Sequence, residues 1–284
     1  MLIFAIALRS KASSNNWENV QKNFNRTIKS LFNQTDGNFL VYVGCNDIPK
    51  TQYINDPRLR FLKVNTPVPK EWIEAARDKF WKYSVISMEI RKYLLQSSNP
   101  QDGVFVMPLD ADDIINKNIV EYVNTHDGNG FVSEYGYVWH KGNKFVEKYN
   151  ELYTYCGSCN IIKMYLDDFP TELPDESTAL SKETATLLNH YPIRWNHNEV
   201  VEKYGNMGKP FSPLPFPSTI YFLNNGENIS SWNDQNNRSR SKYIKIMLLF
   251  LRSKLSYIKH FREIKAKRIP LDSNLLSDFG KFST

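Results

Sequence analysis

The chain has 284 residues, 41% of them hydrophobic, and a formal net charge of +6. That is enough apolar material for one large domain, or for a domain with an appendage, and it excludes a largely disordered chain. Three cysteines, Cys45, Cys156 and Cys159, argue against a disulfide framework, and no apolar stretch approaches the roughly 20 residues that span a bilayer.

In chain order, LIFAIAL (2–8) reads as a first strand for a doubly covered position in a sheet; it lacks the basic leader and cleavage site of a signal peptide. WENVQKNFNRTIKSLF (17–32) then places Val20, Phe24, Ile28, Leu31 and Phe32 on one helical face. NFLVYVG (38–44) and RLRFLKV (58–64) are the next strands, a helix runs from about Trp72 to Leu95, and VFVMPL (104–109) is the fourth strand. This β-α-β-β-α-β order predicts an α/β fold with a mostly parallel, Rossmann-like sheet. Past residue 115 the alternation weakens. A short helix is expected at 116–124, strands at 130–140 and 159–165, a helix ending near His190, and a late strand at 213–223.

Open parallel sheets bind ligands beyond the carboxyl ends of their strands. Arg9, Asp47 and the aspartates of PLDADD (108–113) all fall at such ends. Asp110, Asp112 and Asp113 repel one another unless a cation or several donors compensate them. Helix capping ahead of INKNIVEYVN accounts for one of the three, Asp112 or, with the other two at the binding edge, Asp113. A calcium loop fails because Ile114 and Ile115 stand where an oxygen ligand and the turn glycine belong. A phosphatase that forms an aspartyl-phosphate also presents D-x-D after an apolar strand, but here a full β-α-β-β-α unit comes first. The remaining reading is a pair of carboxylates that holds Mg²⁺ or Mn²⁺ against a diphosphate leaving group. The C-x-x-C of YCGSCNII has neither two further zinc ligands at suitable spacing nor the helix start of a redox motif.

With PLDADD as a D-x-D motif after these elements, the chain over residues 1 to about 230 resembles the GT-A glycosyltransferases, in the style of bacterial enzymes near glycosyltransferase family 2. The resemblance implies transfer of a sugar, with inversion, from a nucleotide-diphosphate donor, a UDP-sugar, to a glycan or lipid-linked acceptor in O-antigen or capsule synthesis. It implies that Arg9 contacts the nucleotide and that Asp47 reads the base, although an Asx turn before Pro49 would explain Asp47 equally well. It also implies that ARDKFWKY (76–83) brings Arg77 and Lys79, with Asp78 and Lys82, to the diphosphate, and that Asp110 serves the nucleotide side and the metal, Asp112 the metal. Gly157 and Ser158 would allow a sugar to approach closely on the acceptor side. The family's E-D pair has no clean copy, so the general base is sought at Asp175 and Glu176 in LPDESTAL and at His197 or Glu199 in RWNHNEVVEKYG. His197 is placed as the base or as a third metal ligand. FLNNGENISSW (222–232) has asparagines, Asn228 among them, where the family can carry a late metal-binding histidine.

Residues 238–268 hold eleven Lys and Arg against Glu263 alone, a local +10 that leaves −4 elsewhere. Within 242–268, Ile244, Met247, Leu248, Leu251, Leu255 and Ile258 share one face, the pattern of a helix lying on an anionic membrane surface. The expected organisation is a GT-A domain over 1–232, with a nucleotide-sugar half (1–115) and an acceptor half (116–232), then a basic amphipathic membrane-associating segment over 233–284. The expected setting is the cytoplasm, peripheral at the inner face of the cell membrane, with no nucleic-acid partner. A non-catalytic GT-A-like subunit that binds glycan or membrane is the alternative.

Overall fold

The structure, a computed structural model, describes residues 1–227 and 268–280. Its first strand, β1 (Leu2–Ala7), lies in the middle of a sheet and is buried on both faces, which is why it reads as a continuous apolar run. Side chains alternate across a strand. Leu2, Phe4 and Ile6 therefore pack with Val20, Phe24, Ile28 and Leu31 of α1 (Trp17–Leu31). Ile3 and Ala5 pack on the opposite face, beyond β2 (Phe39–Cys45) and β3 (Leu59–Lys63) in sequence, with Tyr83, Ile86, Ile90 and Leu94 of α2 (Trp72–Gln96). α1 starts where it does because the Asn16 side chain accepts the Asn19 N–H at 3.1 Å.

The remaining elements are β4 (Val104–Leu109), β5 (Ile114–Ile115), α3 (Ile119–Thr125), β6 (Gly130–Val132), β7 (Tyr135–His140), β8 (Phe145–Asn150) and β9 (Asn160–Met164). They are followed by α4 (Lys182–Leu187), α5 (His197–Asn206), β10 (Ser212–Pro213), β11 (Thr219–Leu223), β12 (Arg268–Pro270) and a last helix, α6 (Ser273–Phe279). Among the described residues, one seven-stranded sheet runs β10-β6-β9-β4-β1-β2-β3. Every pairing in it is parallel except those of β9, which lies antiparallel to both β4 and β6. A second, five-stranded sheet runs β12-β8-β7-β11-β5 and is antiparallel apart from the β7–β11 pair.

Three expectations need correction. The strand expected at 130–140 breaks at Ser133 and Glu134, so that β6 joins the first sheet and β7 the second. The late strand at 213–223 is interrupted between Ser212–Pro213 and Thr219–Leu223, where Pro215 and Pro217 cannot donate ladder hydrogen bonds. Asp113 does not cap the following helix: α3 begins at Ile119 with Asn118 at its N-cap, and Asp113 is fully buried elsewhere.

Most of the basic segment, and Asn228, lie outside the described residues. The part of 233–284 that is described returns to the domain. Arg268–Pro270 pairs antiparallel with β8, and Leu275 and Phe279 join a core with Ile114, Trp139, Val146, Ile220 and Phe222. Residues 268–280 thus complete the second sheet rather than forming part of an appendage. Among the described residues no helix is long and apolar enough to cross a membrane.

Candidate active site

A cavity of about 290 Å³ opens at the carboxyl ends of β1 and β4, lined by Arg9, Asp78, Lys79, Lys82, Asp110, Asp112, Tyr155, Gly157, His197, Tyr221 and Glu227. The chain leaves β4 at Leu109 and delivers its three aspartates into three different surroundings.

Asp110 is half-buried, forms an ion pair with Lys79, and donates its own N–H to Ser158 Oγ at 2.9 Å. Burial lowers the pKa of the Lys79 ammonium, but Asp110, Tyr83 and Asp112 together outweigh that and raise it, so Lys79 stays charged. Asp112 accepts a hydrogen bond from Asn225 Nδ2 at 2.6 Å. Burial, followed by the neighbouring Asp110 charge, pushes its pKa up to about 6. Asp113 lies beneath them, accepting Ser158 Oγ at 2.6 Å and Cys156 Sγ at 3.3 Å on one oxygen and the Phe222 N–H at 3.1 Å on the other. Burial raises its pKa well above the usual carboxylate range.

Ser158 is therefore a bridge, donating to Asp113 while accepting from the Asp110 backbone. Contrary to expectation, it does not open space for a sugar, because its side chain is fully buried and turned to the aspartates. Gly157 is the neighbour that leaves space: a Cβ there would stand 3.3 Å from Asp110 Oδ2 and 3.8 Å from Lys79 Nζ. The C-x-x-C also finds its explanation. Cys156 donates its thiol to Asp113 and Cys159 packs beside Val138 and Leu152, both sulfurs buried and free of disulfides.

One wall of the cavity is α2. Ala75, Asp78, Lys79 and Lys82, at i, i+3, i+4 and i+7, face it together. Lys82 is buried, pairs with Asp78 and donates to the Leu8 carbonyl at 2.9 Å. Asp78 in turn accepts Thr66 Oγ1 at 2.7 Å, and Thr66 accepts Asn46 Nδ2 at 3.0 Å. This network ties the ends of β1 and β2 to the helix and is structural in kind. Arg9 donates Nε to the Ser13 carbonyl at 2.9 Å and pairs with Glu227 at 3.2 Å, while Glu227 accepts the Asn15 and Asn16 N–H groups at 3.1 and 2.7 Å. Asp47 accepts the Lys11 N–H at 2.8 Å, which joins the loops after β1 and β2.

His197 opens α5, and Asn160 Nδ2 holds its carbonyl at 2.7 Å. Its Nδ1 lies 2.6 Å from the Tyr153 carbonyl. A carbonyl only accepts, so Nδ1 carries a proton, and it is Nε2 that has the lone pair whenever the ring is neutral. The other sequence candidates stand elsewhere. Arg77 donates to the Leu180 carbonyl at 3.0 Å, on a different face of α2 from Lys79. Glu199, two residues and about 200° around α5 from His197, is half-buried and paired with Lys203 at 2.9 Å. Asp175 is exposed and caps the turn at Glu176–Thr178 by accepting the Ser177 N–H at 2.8 Å.

Among the described residues no three His, Cys, Asp or Glu side chains stand together as a metal cage. The cavity offers the Asp110 and Asp112 carboxylates, with His197 as a further wall residue. Tyr155, Tyr221, Asn225 and Glu227 belong to the site but were not singled out in the sequence. Asn225 and Glu227 fall within the asparagine-rich stretch 222–232, and 65%-exposed Tyr155 lies within YTYCGSC, so both stretches carried the signal without the positions.

The parallel-rich sheet, the carboxylates at the end of β4 and the antiparallel strand beyond it define a GT-A-like α/β protein. No protein-family model matches the chain, and no curated protein is similar to it in sequence. It is similar in structure to S. aureus TarS, at 15% identity and a TM-score of 0.42, over 78% of this chain and 37% of that one. It is also similar to Francisella tularensis 2-C-methyl-D-erythritol 4-phosphate cytidylyltransferase (IspD), at 7% identity and a TM-score of 0.34, over 83% of this chain and 99% of that one. The chain spans little more than a third of the length of TarS.

Proposed function

We propose that the chain is a glycosyltransferase that moves a sugar from a nucleotide-diphosphate donor, a UDP-sugar, to a glycan or lipid-linked acceptor of a surface polysaccharide such as O-antigen or capsule. The observation that carries this reading is the convergence of Asp110 and Asp112 with Arg9, Lys79 and His197 on one cavity at the carboxyl edge of the sheet.

Two carboxylates fit a hard cation such as Mg²⁺ or Mn²⁺, which commonly takes one or two protein oxygens and fills its shell with substrate phosphates and water. When bound, the ion would neutralise charge on the departing diphosphate. Lys79 and Arg9, both on the cavity wall, would supply positive charge to the phosphates of the donor. His197, its Nδ1–H committed to Tyr153, presents Nε2 to take the proton of the acceptor hydroxyl as that oxygen attacks the sugar. Attack on the face opposite the leaving diphosphate inverts the anomeric centre. Tyr155 gives the rim an exposed aromatic face for a sugar ring. The basic stretch ahead of residue 268 would hold the enzyme to the inner face of the cell membrane, where a lipid-linked acceptor is within reach, and nucleic acid is not among the partners.

Calorimetry with UDP and Mn²⁺ tests the reading: UDP binding that requires metal is expected, and it should be lost in Asp112→Ala. A wild-type chain with no metal-dependent UDP binding would overturn it in favour of a non-catalytic glycan- or membrane-binding subunit. Release of inorganic phosphate from simple esters would point instead to a D-x-D phosphatase.

A further inference from the structure

α2 carries a second stripe. Ile73, Ala76, Arg77 and Phe80 repeat the i, i+3, i+4, i+7 spacing of the residues that face the cavity, displaced to the other side of the helix, and they line a separate groove of about 390 Å³. α5 divides in the same way. His197 faces the cavity, whereas Asn196, Glu199 and Lys203 face the groove.

Four cations, Arg77, Lys182, Arg194 and Lys203, line this groove against one carboxylate, Glu199. Glu199 is already committed to Lys203 at 2.9 Å. Arg194 is the telling member. It is 5% exposed, and its Nη1 donates to the Phe80 carbonyl at 2.9 Å and to Ser84 Oγ at 2.8 Å, while its Nε is buried without a partner. Burial alone lowers its pKa to about 10, with no acid offsetting it. Buried guanidinium groups are ordinarily paired with an anion. Among the described residues no carboxylate pairs with Arg77, Lys182 or Arg194. The indole of Trp195 forms part of the same wall, with the Lys203 ammonium 4.7 Å from its ring centroid. An aromatic face in a groove that also carries three cations without a carboxylate partner, Arg77, Lys182 and Arg194, suits a sugar ring that bears a negative group.

We propose that this groove binds an anionic glycan segment, a sugar bearing a carboxylate or a phosphate, and serves as an outer subsite for the acceptor chain. Only its role as an acceptor subsite rests on the transferase reading; the binding does not. Nucleic acid is disfavoured because the groove offers one aromatic platform, Trp195 with Phe80 beneath Arg194, rather than a row of them.

The test uses the full chain and four probes: an oligogalacturonate, a glycerol-phosphate oligomer, a neutral malto-oligosaccharide, and a single-stranded oligonucleotide of matched charge. At least one acidic saccharide or polyol phosphate is expected to bind, the neutral one is not, and the first two arms tell carboxylate from phosphate. Reversing the two lysines in Lys182→Glu/Lys203→Glu is expected to weaken that binding by about tenfold or more while leaving UDP binding intact. Arg194→Gln gives the same loss if it folds, but the lysine pair decides the matter without it. The proposal is overturned if neither acidic oligomer binds, if the neutral one binds as well, if the oligonucleotide binds more tightly, or if the double variant binds unchanged. UDP binding without oligomer binding removes the groove alone. Oligomer binding without UDP binding removes the transferase reading and leaves the groove.

Discussion

Asp110, Asp112 and Asp113 are chemically identical side chains made different by what surrounds each one: an ammonium, an amide and a set of buried donors. The raised pKa of Asp112, about 6, gives a pH dependence with a definite sign. A metal site needs the carboxylate, so metal-dependent UDP affinity should fall as pH drops through about 6, measured by calorimetry from about pH 7.5 to about pH 5. Stability should move the other way. A carboxyl whose pKa is raised on folding binds its proton more tightly in the native state, so the Asp112 contribution grows as pH falls from above 6 toward the ordinary carboxylate range. Thermal denaturation of the metal-free protein over the same range, wild type against Asp112→Asn, isolates that contribution. For His197 the expected outcome is kinetic. His197→Ala should lower kcat by roughly 10²–10⁴-fold with UDP affinity unchanged; a loss confined to UDP binding would show that the imidazole is not the base. At this scale the sequence revealed the carboxylates, because crowded negative charge at a strand end demands compensation. It could not separate His197 from Glu199, or Lys79 from Arg77, since residues two apart on a helix face nearly opposite ways and a motif does not record the phase.

The two stripes of α2 depend on where the helix sits against the sheet, and Gly44 in β2 sets that distance. A Cβ at Gly44 would come within 2.8 Å of Lys82 Cβ and 3.2 Å of the Lys82 carbonyl. Because the second contact is to backbone, the helix itself would have to move. Gly44→Ala is therefore expected to destabilise the fold by about 1–3 kcal/mol, read as a lower midpoint in urea, and to weaken UDP binding by shifting Lys79. Ser158→Ala probes the other side of the cavity. It removes the acceptor of the Asp110 N–H and a donor to buried Asp113, at an expected cost of about 1–3 kcal/mol. The elements that hold these residues, β1, α1, β2, α2 and β4, were legible because their apolar periodicity is local and strong. β8 was not: FVEKYN is half exposed along its length, and its pairing is decided by β7 and β12 rather than by its own pattern.

On the scale of the whole molecule the two sheets meet at the candidate site. β11 of the second sheet donates the Phe222 N–H to Asp113, and Thr219 Oγ1 donates to the Ser158 carbonyl at 2.7 Å. The second sheet is itself closed by residues from the far end of the chain. Lys117, just after β5, binds the Asp278 and Ser277 carbonyls at 2.8 and 2.9 Å, and Phe279 packs edge-on against Tyr137. Nothing local in RIPLDSNLLSDF announces such a return, because strand pairing across more than a hundred residues is settled by the partner's exposed edge and not by the segment's composition. The consequence is a mechanical link between the C-terminal helix and the aspartates. Phe279 and Phe222 share one core, and Phe222 carries a hydrogen bond to Asp113. Phe279→Ala should cost about 3–5 kcal/mol through the cavity it leaves, visible as a lowered thermal midpoint. If the link holds, the variant, assayed well below its midpoint, should also bind UDP with Mn²⁺ more weakly than wild type, although residue 279 touches nothing in the cleft. Unchanged affinity in a folded but destabilised protein would show that the second sheet supports the site without tuning it.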